Sequence, residues 1–257
     1  MEIKLSPGEK VYFASDFHLG FPTREDSRDR EKKIVRWLEA VSHDAKHIFL
    51  VGDIFDFWFE YQSVIPKGYI RFQGKIAELV DRGIEISFFT GNHDLWIFDY
   101  FTKELGVKVY RKPQTLIING TKMLLGHGDG LGPGDYSYKL LKVVFENKVC
   151  QWLFGFLHPN LGIFVANYWS TTRKKKQMKT GKPFNEENEL LWKYAESIEQ
   201  EEHFDYYIFG HRHLRLDLKV GENSRYINIG EWLTLYTYGV FDGEKMDILT
   251  FNEEKTQ

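Results

Sequence analysis

His47-Ile48-Phe49-Leu50-Val51-Gly52-Asp53-Ile54-Phe55-Asp56 is a short apolar run closed by a glycine and two carboxylates. An uncharged run of this length bounded by a turn residue reads as a buried strand. Its end then places acidic groups where the chain leaves the sheet. The same grammar recurs along the chain. Val11-Tyr12-Phe13-Ala14-Ser15 runs into Asp16-Phe17-His18, and Ile84 to Thr90 runs into Gly91-Asn92-His93-Asp94. Lys122 to Leu125 runs into Gly126-His127-Gly128-Asp129, and Tyr206 to Phe209 into Gly210-His211-Arg212-His213. Ligand sites of open α/β sheets form outside the carboxyl ends of strands, and glycine there lets the backbone turn sharply.

Working outward, helical spacing of Ile34, Val35, Leu38 and Val41, and of Ile76, Leu79 and Val80, predicts helices between the first three strands. Strands alternating with helices imply a βαβ arrangement with a mostly parallel sheet. After about residue 107 the elements become short and β-like, with Asn119-Gly120 as a hairpin turn. Residues 136–169 read as helical and aromatic, residues 184–202 as an acidic amphipathic helix, and five further strands follow from Tyr206. The expected architecture is one α/β domain over residues 1–257 with a helical cap insertion at about 131–202.

Composition narrows the class. The chain has 257 residues, 34 Lys+Arg against 37 Asp+Glu, and a net charge of -3. A globally basic nucleic-acid binder is therefore excluded, and nucleic acid is an unlikely partner. A lone cysteine, Cys150, cannot close an internal disulfide, which points to a reducing compartment. With no signal-type apolar segment and no uncharged run of membrane-spanning length, a cytoplasmic location is expected, with peripheral contact at the inner membrane surface left open.

Asp and His in combination suit borderline divalent cations. Asp16 and His18 sit two apart on an extended tip, so both could reach one ion, and His211 and His213 share that spacing. Asp53, on what should be a central strand, is the natural bridge, and Asn92 offers a neutral carbonyl oxygen. Two ions ~3.5–4 Å apart would clamp the attacking and leaving oxygens of a phosphoryl centre. His43, His47, His158 and His203 lie outside any cluster and are expected to have ordinary surface or helix-face roles.

The ordered set Asp-x-His, Gly-Asp-x-x-Asp, Gly-Asn-His-Asp, Gly-His-Gly-Asp, Gly-His-x-His over residues 16–213 resembles the calcineurin-like metallophosphoesterase superfamily. The resemblance implies a four-layer α/β/β/α sandwich. It implies one metal on Asp16, His18, Asp53 and His213, and a second on Asp53, Asn92, His127 and His211, with Mn²⁺ the favoured ion. It also implies that His93 is catalytic and oriented by Asp56. Ser15 to Gly20, Gly52 to Trp58 and Gly126 to Asp129 are similar to one subgroup, the UDP-2,3-diacylglucosamine pyrophosphatases of lipid A biosynthesis. These release UMP from a lipid-linked nucleotide sugar and carry a helical cap that contacts acyl chains. The chain departs from the proteobacterial pattern in having His93 where those enzymes have Arg, and Asp56 where they tend to have Glu. A phosphoesterase of another substrate class (phosphoprotein, nucleotide or nucleic acid) and a non-catalytic scaffold are the alternative readings.

The chain is ring-rich, with 21 Phe, 14 Tyr and 7 Trp, and the excess falls in three places. Phe55, Phe57, Trp58, Phe59 and Tyr61 follow the second motif, and Trp96, Phe98, Tyr100 and Phe101 follow the third. A third group, from Phe145 to Trp169, lies in the insertion. These are expected to form the rim and lid of a site for an apolar substrate, the alternatives for the insertion being a self-packed helical pair or a dimer interface. The basic run Arg173, Lys174, Lys175, Lys176 with Asn167, Ser170 and Thr171 is the candidate contact for substrate phosphate and sugar. Oligomeric state is left open.

Overall fold

A computed structural model describes residues 1–134, 136–166 and 189–252. Its first sheet is ordered β1-β6-β7-β8-β10-β9 and its second β12-β11-β2-β3-β4-β5. In chain order the strands are β1 (Glu2–Ile3), β2 (Lys10–Ala14), β3 (Ala45–Val51), β4 (Glu85–Phe89), β5 (Lys108–Tyr110) and β6 (Gln114–Ile118). They continue with β7 (Thr121–Leu125), β8 (Tyr206–Phe209), β9 (Arg215–Val220), β10 (Ser224–Ile229), β11 (Thr237–Phe241) and β12 (Met246–Thr250). The helices are α1 (Arg24–Val41), α2 (Ile70–Asp81), α3 (Tyr100–Leu105), α4 (Tyr136–Glu146), α5 (Lys148–Gly155), α6 (Pro159–Ala166) and α7 (Leu190–Glu199).

β2 to β5 pair in parallel, as the alternation predicts, but β11 adds antiparallel to β2 and β12 to β11. The first sheet is mixed, with β7-β8 and β8-β10 parallel and β6-β7 and β9-β10 antiparallel. Parallel pairing thus runs through β2 to β5, where helices alternate with strands, and recurs at β1-β6, β7-β8 and β8-β10.

Three apolar layers hold the fold. Val11, Phe13, Phe49, Val51 and Phe89 of the second sheet face Leu116, Met123, Leu125, Ile208 and Ile227 of the first. The other face of the second sheet, through Ala14, Ile48, Leu50 and Phe88, packs under α1, α2 and α3 by way of Ile34, Trp37, Phe72, Leu79 and Phe101. The outer face of the first sheet, with Leu124, Tyr207, Phe209 and Tyr226, packs under Leu191 and Ala195 of α7. Helix, sheet, sheet and helix are thus stacked as the four-layer expectation has it.

α1 shows how local chemistry sets an element. Thr23 caps it by accepting from the Asp26 N–H, Glu25 and Asp26 sit in the first turn, and Ile34, Trp37, Leu38 and Val41 form the buried stripe. Within the stretch expected as a cap, α4, α5 and α6 lie away from the sheets with many apolar side chains in solvent, whereas α7 belongs to the outer layer of the sandwich.

Candidate metal centre

β2, β3 and β4 are parallel neighbours, so their carboxyl ends lie side by side, and β7 and β8 bring two more ends from the facing sheet. The loops brace one another through the backbone. The Asp16 N–H donates to Gly52 O, that of His18 to Asp53 O, and that of Gly210 to His127 O. Five of the candidate ligands, Asp16, His18, Asp53, His211 and His213, have φ between 44° and 66°. This left-handed conformation is uncommon outside glycine, though Asp and His adopt it more often than most.

Six of the seven expected ligands gather in two groups. Asp16, His18 and His213 form one group whose ligand atoms lie within 4.8 Å of one another, and Asp53, His127 and His211 form another. His18, Asp56 and His93 form a third such group, so His18 touches both the cluster and the expected catalytic pair. His18 Nε2 and His213 Nε2 are 3.0 Å apart. His213 Nε2 lies 3.2 Å from Asp16 Oδ1, and His127 Nε2 lies 3.4 Å from Asp53 Oδ2.

The residues fit divalent cations. Asp16 Oδ1, Asn92 Oδ1 and His127 Nε2 are shielded from solvent yet have no hydrogen-bond partner. Buried polar atoms are normally paired, and three of these exceptions are expected ligands. His127 Nδ1 donates to Val51 O at 2.8 Å, which orients the ring so that Nε2 faces the cluster. Close approach also explains a glycine. A Cβ on Gly91 would fall 2.2 Å from Asp53 Oδ1 and 2.8 Å from His127 Nε2.

The charges point the same way. Burial pushes the Asp53 carboxyl up, but His127, His93 and His18 more than offset it and hold the group well below the usual carboxylate range. Burial would lower the His127 imidazole, yet Asp53 and Asp16 raise it to about 10. His211 moves the other way, down to about 4, through burial and the neighbouring His127. The loops have thus gathered buried carboxylates that require cationic charge beside them.

His93 and Asp56 also meet. His93 Nδ1 donates to the main-chain carbonyl of Asp56 at 2.9 Å and lies 3.9 Å from its Oδ1, and the His93 N–H donates to Asp53 Oδ1 at 2.9 Å. Asp56 caps no helix, so its place beside both His18 and His93 is its structural context. Asn167, Ser170, Thr171, Arg173, Lys174, Lys175 and Lys176 lie outside the described residues.

The family model for calcineurin-like phosphoesterases matches residues 9–215. The chain belongs to the calcineurin-like phosphoesterase family. A UDP-2,3-diacylglucosamine hydrolase of Porphyromonas gingivalis is 38% identical over 251 residues, covering 91% of this chain and 94% of the relative. The hydrolase of the same name from Histophilus somni is 27% identical, covering 87% and 92%, and that from Vibrio atlanticus 26% identical, covering 93% and 96%. Divalent metals and a hydrolytic activity follow from membership of this phosphoesterase family and from the clustered donors.

Other features differ from the sequence reading or lie beyond it. His43, His158 and His203 are exposed, as expected, but His47 is 1% exposed, stacked 4.0 Å from Phe49 between the sheets. The ring clusters divide. Phe55, Trp58 and Phe101 are fully buried under the helices and are core. Phe57, Phe59, Trp96 and Phe98 instead form a cluster with Phe154 of α5, and Trp96 also meets Phe145 of α4 and donates to its carbonyl.

Three supporting contacts have no role assigned from the sequence. Arg30 of α1 donates to Phe17 O at 2.7 Å and His18 O at 2.6 Å, bracing the first loop. Asp129 accepts from Tyr138 and Lys142 of α4, each at 2.7 Å. Glu189, fully buried at the start of α7, accepts from Arg212 Nε at 3.0 Å. Arg212 and Asp129 fall within quoted motifs, but only distant partners reveal what they do.

Proposed function

We propose that this chain hydrolyses the pyrophosphate bond of UDP-2,3-diacylglucosamine, giving UMP and 2,3-diacylglucosamine 1-phosphate. The observation that carries the reading is the buried Asp and His cluster, with the orphaned donor atoms of Asp16, Asn92 and His127, bordered by an aromatic wall that continues onto α4 and α5. Relatives named for that substrate, matching nearly end to end, support it. Asp16, His18, Asp53 and His213 would hold one ion and Asp53, Asn92, His127 and His211 a second, with Mn²⁺ suited to this mixture of oxygen and imidazole donors. When bound, the ions supply electrophilic charge at phosphorus and a hydroxide near neutral pH.

The protein's own groups do the rest. His93, oriented through its Nδ1–H on the Asp56 carbonyl, faces the cluster and stabilises negative charge developing on phosphate oxygens or on the leaving group. Phe57, Trp96 and Phe154 exclude water and offer apolar surface to an acyl chain. Asn167, Ser170, Thr171 and the basic run from Arg173 to Lys176 would reach the sugar and phosphates.

Exposed Leu140, Val143, Trp152, Phe156 and Phe164 on α4 to α6 suit peripheral contact with the inner membrane surface. Among the described residues no single helix is long and apolar enough to cross a membrane, and α5 and α6 pass that test only as a pair bent by 120°.

The test is UMP release from UDP-2,3-diacylglucosamine by the Mn²⁺-loaded protein. His93→Ala should slow turnover about 10²- to 10⁴-fold while metal content measured by mass spectrometry stays near that of the parent. Turnover of simple phosphodiesters without any UMP release would transfer the assignment to another substrate class.

A further inference from the structure

A small, open cleft of about 30 Å³ lies beside the His127 loop, with Thr90, Arg111, Lys112, Asp129 and Lys142 in its wall. Three cations line it against one carboxylate, and that carboxylate is already neutralised by Lys142 at 2.7 Å. Arg111 spends its guanidinium on the neutral carbonyls of Leu95 at 3.3 Å and Ile97 at 2.5 Å, so its charge is not cancelled there. Lys112 is exposed at the mouth. A second observation is independent of charge: Thr90 is 5% exposed, and its Oγ1 has no hydrogen-bond partner. A net positive wall with an unsatisfied hydroxyl is what a phosphate oxyanion requires.

We infer that this cleft is an anion subsite that holds the nucleotide-side phosphate of the substrate, a nucleoside monophosphate once the pyrophosphate is cut. The inference rests on the nucleotide-sugar reading and adds an orientation to it. The acyl-bearing half needs extended apolar surface, which runs along Phe57, Trp96 and Phe154 of α5. The phosphate of the nucleotide half, singly charged in the intact pyrophosphate and doubly charged once it is cut, fits the cationic cleft, whose His127 edge belongs to the metal-ligand group. A phosphate seated there would leave the bond to the lipid-side phosphate over the cluster. Lys112 and Thr90 act on affinity for the nucleotide half, and orthophosphate captured at the metals alone does not need them.

Titration calorimetry of the metal-loaded protein with UMP, and separately with inorganic phosphate, tests this. Lys112→Gln should weaken UMP binding about five- to tenfold, and Thr90→Val about two- to fivefold, with phosphate affinity moving less than about twofold. UMP affinity in the parent should fall as salt rises. Unchanged UMP affinity in Lys112→Gln, or equal losses for UMP and phosphate, overturns the subsite, as does a parent that binds no UMP. UMP release from the UDP-lipid with no Lys112 dependence would sink the subsite while the substrate reading stands. UMP held through Lys112 without cleavage of the UDP-lipid would do the reverse.

Discussion

His47 shows what one residue contributes away from the chemistry. Its ring is enclosed between the sheets, bonded to Ser87 Oγ at 2.9 Å and stacked on Phe49. Burial, with Lys108 nearby, pushes its imidazole down from 6.5 to about 3. The native state therefore holds His47 neutral while the unfolded chain protonates it below about pH 6.5. Its contribution to stability is complete above that pH and is lost as pH falls toward 3, at ~1.4 kcal/mol per pH unit. His47→Gln keeps a partner for Ser87 and removes the titration. Urea unfolding between pH 6.5 and 4 should show a shallower acid loss for His47→Gln than for the parent by about that slope, and parallel curves would contradict it.

At the scale of elements, the two ends of the α4–α7 region are tied to loops that carry expected ligands. Asp129, two residues after His127, grips α4 through Tyr138 and Lys142, and Glu189 at the start of α7 grips Arg212 between His211 and His213. Glu189→Gln leaves the Arg212 guanidinium without its buried counter-charge. The expected loss of stability is somewhat below the about 3–5 kcal/mol of a fully enclosed pair, because the Arg212 side chain keeps 26% of its surface. The urea midpoint should drop with unchanged slope, and metal affinity at the His211/His213 loop should weaken alongside. A midpoint equal to the parent's would show the anchor to be dispensable.

These anchors also mark what the sequence could tell. Asp16, Asp53, Asn92, His127 and His213 were legible because each closes an apolar run next to a turn, so a local pattern announces both the strand and the group at its end. Glu189 and Arg30 were not, because an ordinary charged residue on a helix becomes buried only through a partner far away in the chain. β1 has two residues and exists by pairing with β6, and α3 is a single short segment, so neither carries a period long enough to read. The aromatic excess was visible as composition, but its division into core rings and a wall facing α5 depended on which way each loop turned.

For the whole molecule, the metals should act as folding ligands. A ligand that binds only the native state, at a thousand times its dissociation constant, stabilises by about 4 kcal/mol, which for a chain of this size corresponds to about 10 °C in Tm. Chelation should therefore lower the melting temperature by that order, and Mn²⁺ should restore it. Asp53→Asn should melt alike with and without chelator. A parent protein whose Tm ignores chelation would refute the coupling.

The five left-handed residues in the ligand loops extend this point beyond the test tube. Each non-glycine residue held there costs on the order of 1 kcal/mol or more, and together they take a sizeable share of a margin that is usually ~5–15 kcal/mol. Cation binding offsets that strain only while the cation is present. In a cell short of the ion, a larger fraction of the chains would be open to proteases at any moment. The amount of this protein, and not only its turnover, would then follow the supply of metal.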